Sequence, residues 1–293
     1  MDNMRLLVWA TFSLLLWLTY QAWITQYPAA VEDMPQAIAD NEEVPSLPVI
    51  SSPELPLIND LSAEDTLPVT EQGPTQSVRV QTDVLDILID ERGGDLVRAD
   101  LPNYPVDKSS NMPVRLLNFE QQDRWVLQTG LRSVAEDNEP NHLAQFSADR
   151  NQYSLSEGAE ELEVVLDWQD TGPLQARKIY TFRRGQYAVD LNIVLENTGD
   201  EIWRGASYGQ IVRRHIPVER SFTAVDSYSF TGPVLYDGNE YEKLDIEDLI
   251  DEPVSYNALT GGWLAIIQHH FLAAVVPPTV EPFNYQATAR GQD

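Results

Sequence analysis

The chain has no cysteine among its 293 residues and few basic side chains, with 19 lysines and arginines against 46 aspartates and glutamates. The absence of cysteine excludes a disulfide framework and zinc sites that use cysteine ligands. The net charge of −27 argues against nucleic-acid binding, which needs clustered lysine and arginine, and against lying flat on an anionic membrane. We therefore expect most of the chain to be a well-solvated acidic domain.

Only one long apolar run is present, residues 6–25, and it contains no charged side chain. A helix of this length is about 30 Å long and can cross the hydrocarbon core of a bilayer. A cleaved secretory signal is the alternative. It fits less well because the apolar core of a signal is usually about 7–15 residues long, and the first Ala-x-Ala motif after the run, residues 37–39, lies well beyond it. We predict a transmembrane anchor over residues 1–26.

The charges that flank the apolar run predict its orientation. Arg5 precedes the run and no lysine or arginine follows it until Arg79, so the positive-inside rule places the N-terminus in the cytoplasm. Residues 27–76 hold eight prolines and ten acidic residues but no basic ones. Such a composition cannot bury enough apolar surface to fold, and proline and like charge extend the chain. We predict a disordered tether over residues 27–76, or one that contains a partner-binding motif, and place the residues after about 26 outside the cytoplasm.

From Ser77 onward, apolar and polar residues alternate with the period of β-strands. The clearest unit is a hairpin over residues 176–196, whose second arm alternates four branched apolar residues with mostly polar ones. Further strands are predicted at 113–118, 124–129, 161–168, 202–213, 222–230 and 263–276, with one short helical turn at 246–251. Many strands separated by turns indicate a sandwich or a barrel, and a large two-sheet antiparallel sandwich fits a segment of more than two hundred residues better. Residues 77–293 are therefore predicted to form one large, mostly β domain.

Two motifs could carry catalysis or metal binding, but simpler explanations fit both. Residues 205–209, Gly-Ala-Ser-Tyr-Gly, match the nucleophile motif of hydrolases, yet no helix follows to form the strained turn that this chemistry needs. His269 and His270 fall in a predicted strand, where neighbouring side chains point to opposite faces and cannot share one ion. His142 and His215 are isolated.

An acidic run could bind calcium, but it lacks the spaced oxygen ligands and central glycine of a calcium loop. Its members are Asp245, Glu247, Asp248, Asp251 and Glu252. A solvated loop explains the run equally well. We therefore predict no catalytic, cofactor-binding or metal-binding residue.

Aromatic residues are the remaining binding signal, since they could line a groove for sugars or peptides or simply pack in the core. They are Tyr208, Tyr228, Phe230, Tyr236, Tyr241, Trp263 and Phe271. An epimerase would also need a histidine and a carboxylate as acid and base. His215 and Glu240 are candidates, although no spacing in the sequence joins them.

Several short motifs occur in a specific order along nearly the whole chain. They are Met1–Arg5 ahead of an apolar run with Trp17 and Trp23, then 82–86 (TDVLD), 92–95 (RGGD), 101–105 (LPNYP), 184–189 (RGQYAV), 241–243 (YEK) and 261–265 (GGWLA). Each motif is weak alone, but their order and spacing resemble the N-terminal part of the YidC/Oxa/Alb family of bacterial membrane protein insertases.

The resemblance implies a periplasmic β-supersandwich of the galactose-mutarotase type behind one transmembrane helix in the inner membrane. It implies work in the lipid bilayer with the Sec translocon, SecDF and nascent membrane proteins, assisting their insertion and folding without enzyme catalysis. The family's insertase groove belongs to a C-terminal helical bundle, which we expect beyond residue 293. The sandwich is accordingly expected to be C-terminally truncated in this chain. A membrane-tethered carbohydrate-binding or aldose-epimerase-like domain is the alternative function.

Overall fold

The structure is a computed structural model that describes residues 76–133, 139–170, 172–216 and 230–290, together with Trp17 and Pro74. The predicted anchor and tether lie outside these residues, apart from Trp17, Pro74 and Gln76, and so does the predicted strand 222–230, apart from Phe230. Within the described ranges, no helix is long and apolar enough to cross a membrane. Every described strand belongs to the compact unit Pro56–Asp293.

The described part of the chain consists mainly of β-strands, as predicted. The strands are β1 Ser77–Gln81, β2 Asp86–Asp90, β3 Asp95–Pro105, β4 Pro113–Leu117, β5 Trp125–Ser133, β6 Phe146–Ser147, β7 Gln152–Ser154, β8 Glu161–Trp168, β9 Leu174–Arg183, β10 Val189–Asn197, β11 Gly205–Arg213, β12 Thr231–Tyr236, β13 Tyr241–Lys243, β14 Val254–Thr260, β15 Trp263–Gln268, β16 Phe271–Val275 and β17 Pro282–Ala287. A helix, α1 Ile246–Asp251, and a 3₁₀ turn, Gln121–Asp123, accompany them.

These strands form four sheets. A seven-stranded sheet has the order β11-β5-β3-β2-β1-β7, with β4 also paired to β3. The others have the orders β10-β9-β8-β6, β13-β12-β15-β16 and β14-β17. The pairs are antiparallel except β1 with β7, which is parallel. This confirms a mostly antiparallel β domain with several sheets.

Two hydrophobic cores hold the sheets. In the main core, Val78 and Ile89 of the seven-stranded sheet and Phe146, Leu166 and Phe182 of the β10-β9-β8-β6 sheet are all fully buried or nearly so. Strands β1 and β2 alternate fully buried residues with less buried ones, so one face of the seven-stranded sheet packs in the core. The second core is smaller and is built from Leu235, Leu244, Leu249 and Tyr285.

Several predicted elements are confirmed and one is divided. The 176–196 hairpin is present as β9 and β10, the predicted 161–168 strand is β8, and the helical turn 246–251 is α1. The predicted strand 263–276 is instead a hairpin, because β15 ends at Gln268 and pairs with β16, which begins at Phe271. His269 has a φ of 60° in the turn between them, a conformation that glycine usually adopts in such turns.

A second residue with positive φ offers a test of backbone strain. Ala258 has a φ of 56° where the β14–β17 register shifts between Tyr256 and Leu259. This conformation costs a residue with a Cβ atom about 1–2 kcal/mol, and glycine avoids the cost at the expense of a more flexible unfolded chain. We expect Ala258→Gly to raise the free energy of unfolding by about 0.5–1 kcal/mol, measured by urea unfolding.

The control for this substitution is Ala274→Gly in the regular strand β16. There the glycine relieves no strain, so the free energy of unfolding should fall by about 0.5–1 kcal/mol. Destabilisation of similar size by both substitutions would contradict the assignment of strain to Ala258.

Candidate functional site

A buried pair of opposite charges links the two sheets of the main core. Lys178 on β9 has no exposed side-chain surface, and Asp95, at the start of β3, has a side chain that is 3% exposed. The Lys178 Nζ atom lies 3.8 Å from the Asp95 Oδ1 atom. The Lys178 Nζ donates hydrogen bonds to the Gly93 carbonyl, to the Thr129 carbonyl at 2.7 Å and to the Thr129 hydroxyl at 2.8 Å. Three acceptors match the three donors of an ammonium group.

Both carboxylate oxygens of Asp95 also accept hydrogen bonds. Its carboxylate accepts a hydrogen bond from the Gln128 side chain and another from the Thr129 backbone N–H, each at 3.1 Å. Burial nevertheless raises the pKa of Asp95 and lowers the pKa of Lys178, because desolvation opposes both charges, while the opposite charge of each partner counters the shift. The cluster is therefore a buried ionic link that depends on both partners.

The two glycines of the 92–95 motif form the turn that packs against this ion pair. Gly93 and Gly94 have φ values of +78° and +64° in the turn between β2 and β3. A Cβ atom on Gly94 would lie 3.0 Å from the Lys178 Cδ atom. The turn thereby brings the Gly93 carbonyl to Lys178 and the Gly94 carbonyl to the Tyr180 hydroxyl, which donates to it at 2.6 Å. The two glycines let the backbone approach the buried lysine closely.

The turns that contain the 82–86 and 184–189 motifs contact each other elsewhere in the domain. Asp83 lies between β1 and β2, and its carboxylate accepts the backbone N–H of Gly185, with the shorter distance 2.9 Å. Gly185 has a φ of +70° in the turn that follows β9. The neighbouring Arg184 donates to the carbonyls of Ala159 at 2.9 Å and Ser156 at 2.8 Å. The 82–86 and 184–189 motifs therefore fix the hairpin β9–β10 against the turn between β1 and β2.

An exposed aromatic pair lies beside these turns. The ring centroids of Tyr104 and Tyr187 are 6.0 Å apart, and Tyr104 also contacts Phe271 edge-on with centroids 5.5 Å apart. Tyr104 and Tyr187 are each 44% exposed. Val106 and Met112, in the connection between β3 and β4, are more exposed still. This part of the surface therefore shows several large apolar side chains to solvent.

A cleft of about 230 Å³ lies at the β12–β13 hairpin. It is lined by Leu235, Asp237, Glu240, Tyr241, Glu242 and Tyr256. The Tyr256 hydroxyl donates a hydrogen bond to the Glu242 carboxylate, and Asp237 accepts the backbone N–H groups of its own turn. No histidine is among the described residues that line the cleft, so the candidate pair of a histidine and a carboxylate does not meet there.

The structure separates the residues that the sequence singled out as chemical candidates. The 205–209 motif lies wholly within β11, where Ser207 pairs with Leu131 of β5, so it does not form a strand-to-helix turn. Glu240 lines the cleft, whereas His215 is exposed after β11, and no hydrogen bond or ion pair joins them among the described residues.

The structure corrects the interpretation of His269 and His270. They occupy the turn between β15 and β16 instead of a strand, and their ring centroids are 4.4 Å apart. The prediction that they point to opposite faces of a strand is therefore wrong. No group of three or more metal-ligating side chains occurs in the described ranges.

The acidic run has a structural role at helix α1. Asp245 precedes the helix, and its side chain accepts the Glu247 backbone N–H at 2.8 Å. This is the usual N-terminal cap of a helix. The run therefore starts α1, which contributes Leu249 to the second core.

The aromatic residues do not form one groove. Tyr228 lies outside the described residues, and the others are distributed over separate contacts. These contacts are Tyr236 stacked on Trp263 with centroids 5.5 Å apart, Phe271 on Tyr104, Tyr208 on His142, Lys243 over Phe230, and Tyr241 in the cleft. Packing explains most of this set.

A comparison with known protein families assigns this fold to a family. A family model described as the YidC periplasmic domain matches residues 77–293. The chain belongs to the YidC family. The match begins at the first residue of β1 and includes all seventeen described strands, so the described fold is that of the YidC periplasmic domain.

Curated relatives extend the similarity through the N-terminal residues. The chain is 38% identical over 291 residues to the membrane protein insertase YidC of Thioalkalivibrio sulfidiphilus, an alignment that covers 94% of the chain and 50% of that relative. Identity to the YidC of Alkalilimnicola ehrlichii is 34%, covering 99% of the chain and 51% of the relative. Identity to the YidC of Methylococcus capsulatus is also 34%, in an alignment that covers 99% of the chain and 52% of that relative. The chain spans about half the length of these relatives.

Sequence reasoning missed the buried pair, although one signal for it was present. In the 176–182 segment, Ala176, Lys178, Tyr180 and Phe182 share one face of the strand. A lysine on an otherwise apolar face implies a buried partner. The partner, Asp95, lies 83 positions earlier in the chain, so no local pattern of this YidC-family sequence could identify it.

Proposed function

We propose that this chain forms the membrane anchor and periplasmic domain of a bacterial inner-membrane protein insertase, in which the β domain is a docking and scaffolding module. The observation that carries the proposal is the match of the YidC periplasmic-domain model to residues 77–293. Relatives that bear the name membrane protein insertase align with 94–99% of the chain and support it.

The proposed topology has three parts. Residues 1–26 anchor the chain with the N-terminus in the cytoplasm, residues 27–76 form an acidic tether, and residues 77–293 form the domain in the periplasm. The uncharged run 6–25 and the single flanking Arg5 support this arrangement. The acidic composition of the tether would keep the domain extended away from an anionic membrane surface.

The proposed activity involves no covalent chemistry. Backbone polar groups that lack a partner in hydrocarbon cost several kcal/mol each, so moving a polar segment of a nascent protein into the bilayer requires a polar path. One apolar helix cannot provide such a path. We therefore propose that further transmembrane segments of a longer polypeptide do so, and that the periplasmic domain acts with the Sec translocon and SecDF on nascent inner-membrane proteins.

A depletion experiment tests this function. In a bacterium depleted of its own insertase, the 293-residue chain is expected not to restore growth, whereas the full-length gene product is expected to restore it. In the same cells, a tagged chain should be recovered with the inner membrane and should co-purify with SecDF. Protease added to spheroplasts should digest its β domain, because that domain faces the periplasm.

The control replaces residues 6–25 with a cleavable secretory signal, which should release the domain from the membrane fraction. Growth restored by the 293-residue chain alone would contradict the need for further segments. A β domain that resists protease in spheroplasts would contradict the topology, and a purified chain without SecDF would contradict the docking role. The cleft offers no observation that favours carbohydrate binding, so we propose no second function.

A further inference from the structure

The hairpin formed by β3 and β4 presents apolar side chains to solvent. The two strands pair as far as Pro105 and Pro113, and beyond them the Val106 N–H donates to the Met112 carbonyl at 2.9 Å. Val106 is 60% exposed and Met112 is 66% exposed. Exposed apolar patches on a folded domain mark contacts with proteins or membranes. The end of this hairpin is therefore a candidate contact surface.

The surroundings of the hairpin end are aromatic and uncharged overall. Tyr104 contacts Tyr187 and Phe271 through its ring. Tyrosine combines an apolar ring with a polar hydroxyl and is enriched where proteins meet the interface between membrane and water. Residues 102–113 contain one acidic and one basic side chain, Asp107 and Lys108. The hairpin end is thus neutral in a chain whose net charge is −27.

A cluster of arginines continues this surface. Phe271 pairs with Gln268 across the β15–β16 hairpin, and the Arg213 guanidinium donates to the Gln268 side chain at 2.8 Å. The backbone N–H of the next residue, Arg214, donates to the Arg124 carbonyl at 2.8 Å. Three arginines therefore lie next to one another and beside the aromatic contacts.

The arginine cluster keeps a local positive charge. Asp123 interacts electrostatically with Arg213, but none of the three arginines forms an ion pair with a carboxylate in the described ranges. Arg213 lies over the Trp125 ring, 4.4 Å from its centroid, which fixes its position. Arg214 is exposed and donates to the Gln121 carbonyl at 3.2 Å. The sign of the charge is therefore reversed here relative to the whole chain.

An anionic lipid surface matches this combination of groups. Arginine side chains are attracted to anionic headgroups, and tyrosine and apolar side chains enter the interface beside them. Because salt screens charges beyond about 8 Å at physiological ionic strength, the local charge decides whether a contact forms. The acidic remainder of the chain is repelled, so contact is confined to this surface and competes with the extended state. A tether raises the effective concentration of a domain at the membrane, so a weak contact is sufficient.

We propose that a docking face, formed by Tyr104, Val106, Met112, Arg213 and Arg214, contacts the anionic lipid surface of the membrane that holds the chain. The apolar and aromatic side chains enter the headgroup region, and the arginines contact lipid phosphates. This inference goes beyond the proposed insertase role and rests on it only through the membrane anchor.

The absence of cysteine allows one labelled position to report on the docking face. The 293-residue chain with Met112→Cys carries a polarity-sensitive fluorophore and is reconstituted in vesicles. The vesicles contain phosphatidylcholine alone or an equal mixture of phosphatidylcholine and phosphatidylglycerol. The emission is expected to be at least about twofold higher in the mixture and to be quenched by spin-labelled lipid.

Ile202→Cys, labelled in the same way, is the matched control. Ile202 is 80% exposed, and β10, which spans about 30 Å, separates it from Tyr187. Its emission should be the same in both kinds of vesicle. Equal emission from the Met112 probe in the two lipids, or an equal response at Ile202, would overturn the inference.

Two arginine variants test the contribution of charge. Arg214→Gln should lower the ratio of docked to undocked domain about fivefold in the mixed vesicles, because one arginine near anionic lipid is lost. Arg177→Gln makes the same change in charge on β9 and should leave the ratio unchanged. Equal effects of the two variants would overturn the inference. A rise in emission when polyglutamate is added to phosphatidylcholine vesicles would also overturn it, because the docking face would then fit an acidic protein.

A second probe keeps the test decisive if Met112→Cys does not fold. Val106→Cys is labelled and measured in the same way, and no response to phosphatidylglycerol at this position would overturn the inference. A chain that does not float with phosphatidylcholine vesicles would instead contradict the proposed anchor. The difference in emission between the two lipid compositions would still decide whether the domain docks.

Discussion

Replacing Lys178 with methionine is expected to lower the free energy of unfolding by about 3–5 kcal/mol. Methionine keeps most of the side-chain volume but removes the ammonium, so Asp95 is left as a buried carboxylate 3% exposed and without its countercharge. The carbonyls of Gly93 and Thr129 lose a donor as well. Urea unfolding of the purified chain in mild detergent, followed by tryptophan fluorescence, measures the change.

The neighbouring Arg177 provides a matched control. It lies next to Lys178 on β9, but its side chain is 51% exposed and its nearest carboxylate, on Asp167, is 3.8 Å away. Arg177→Met should therefore change the free energy of unfolding by no more than about 1 kcal/mol. A loss below about 1 kcal/mol for Lys178→Met would show that the buried charge contributes little.

A double variant separates the charge from the packing. Lys178→Met combined with Asp95→Leu removes both charges, and replacing a buried ion pair with apolar side chains is often neutral or stabilising. The double variant should therefore recover part of the stability that Lys178→Met loses. If it is instead less stable than either single variant, the hydrogen bonds to the two strands matter more than the pairing of charge.

Local patterns predicted the parts of the fold that depend on neighbouring residues. The hairpin 176–196 follows from alternation on both sides of a turn, and α1 follows from a short helical pattern, behind the cap that Asp245 supplies. The single strand predicted at 263–276 is wrong because its turn contains two histidines and no glycine. Strand β12 was not predicted. It contains Gly232 and Pro233, which are typical of turns, although both pair with β15.

The candidate site was less predictable, because its residues come from distant parts of the chain. The motifs at 82–86 and 184–189 are specific in the sequence only through their order, whereas the structure shows that their turns contact each other through the hydrogen bond from the Gly185 N–H to Asp83. The position of β10 as the outermost strand of its sheet could not be predicted from local patterns either. Alternation correctly assigned Val189 and Leu191 to the core face, but sequence alone could not indicate that this face is only half covered.

Gly93→Ala is the second substitution with a large expected effect, and it tests why the 92–95 motif contains glycine. A Cβ atom at this position would lie 2.5 Å from the His142 carbonyl oxygen and 2.6 Å from the Asp95 Oδ2 atom, so either the backbone or the buried pair must move. The positive φ adds about 1–2 kcal/mol, and overpacking adds about 1–3 kcal/mol. We expect the free energy of unfolding to fall by about 2–5 kcal/mol.

Gly158 separates these two costs because it differs from Gly93 mainly in its surroundings. Its φ is +80°, close to the +78° of Gly93, but a Cβ atom there would meet nothing within 4 Å. Gly158→Ala should therefore lower the free energy of unfolding by only about 1–2 kcal/mol, the contribution of the positive φ alone. Equal losses for the two alanine variants in urea unfolding would mean that backbone conformation alone requires glycine at position 93. A larger loss at Gly93 shows that this glycine is needed for the close approach of the turn to Asp95 and His142.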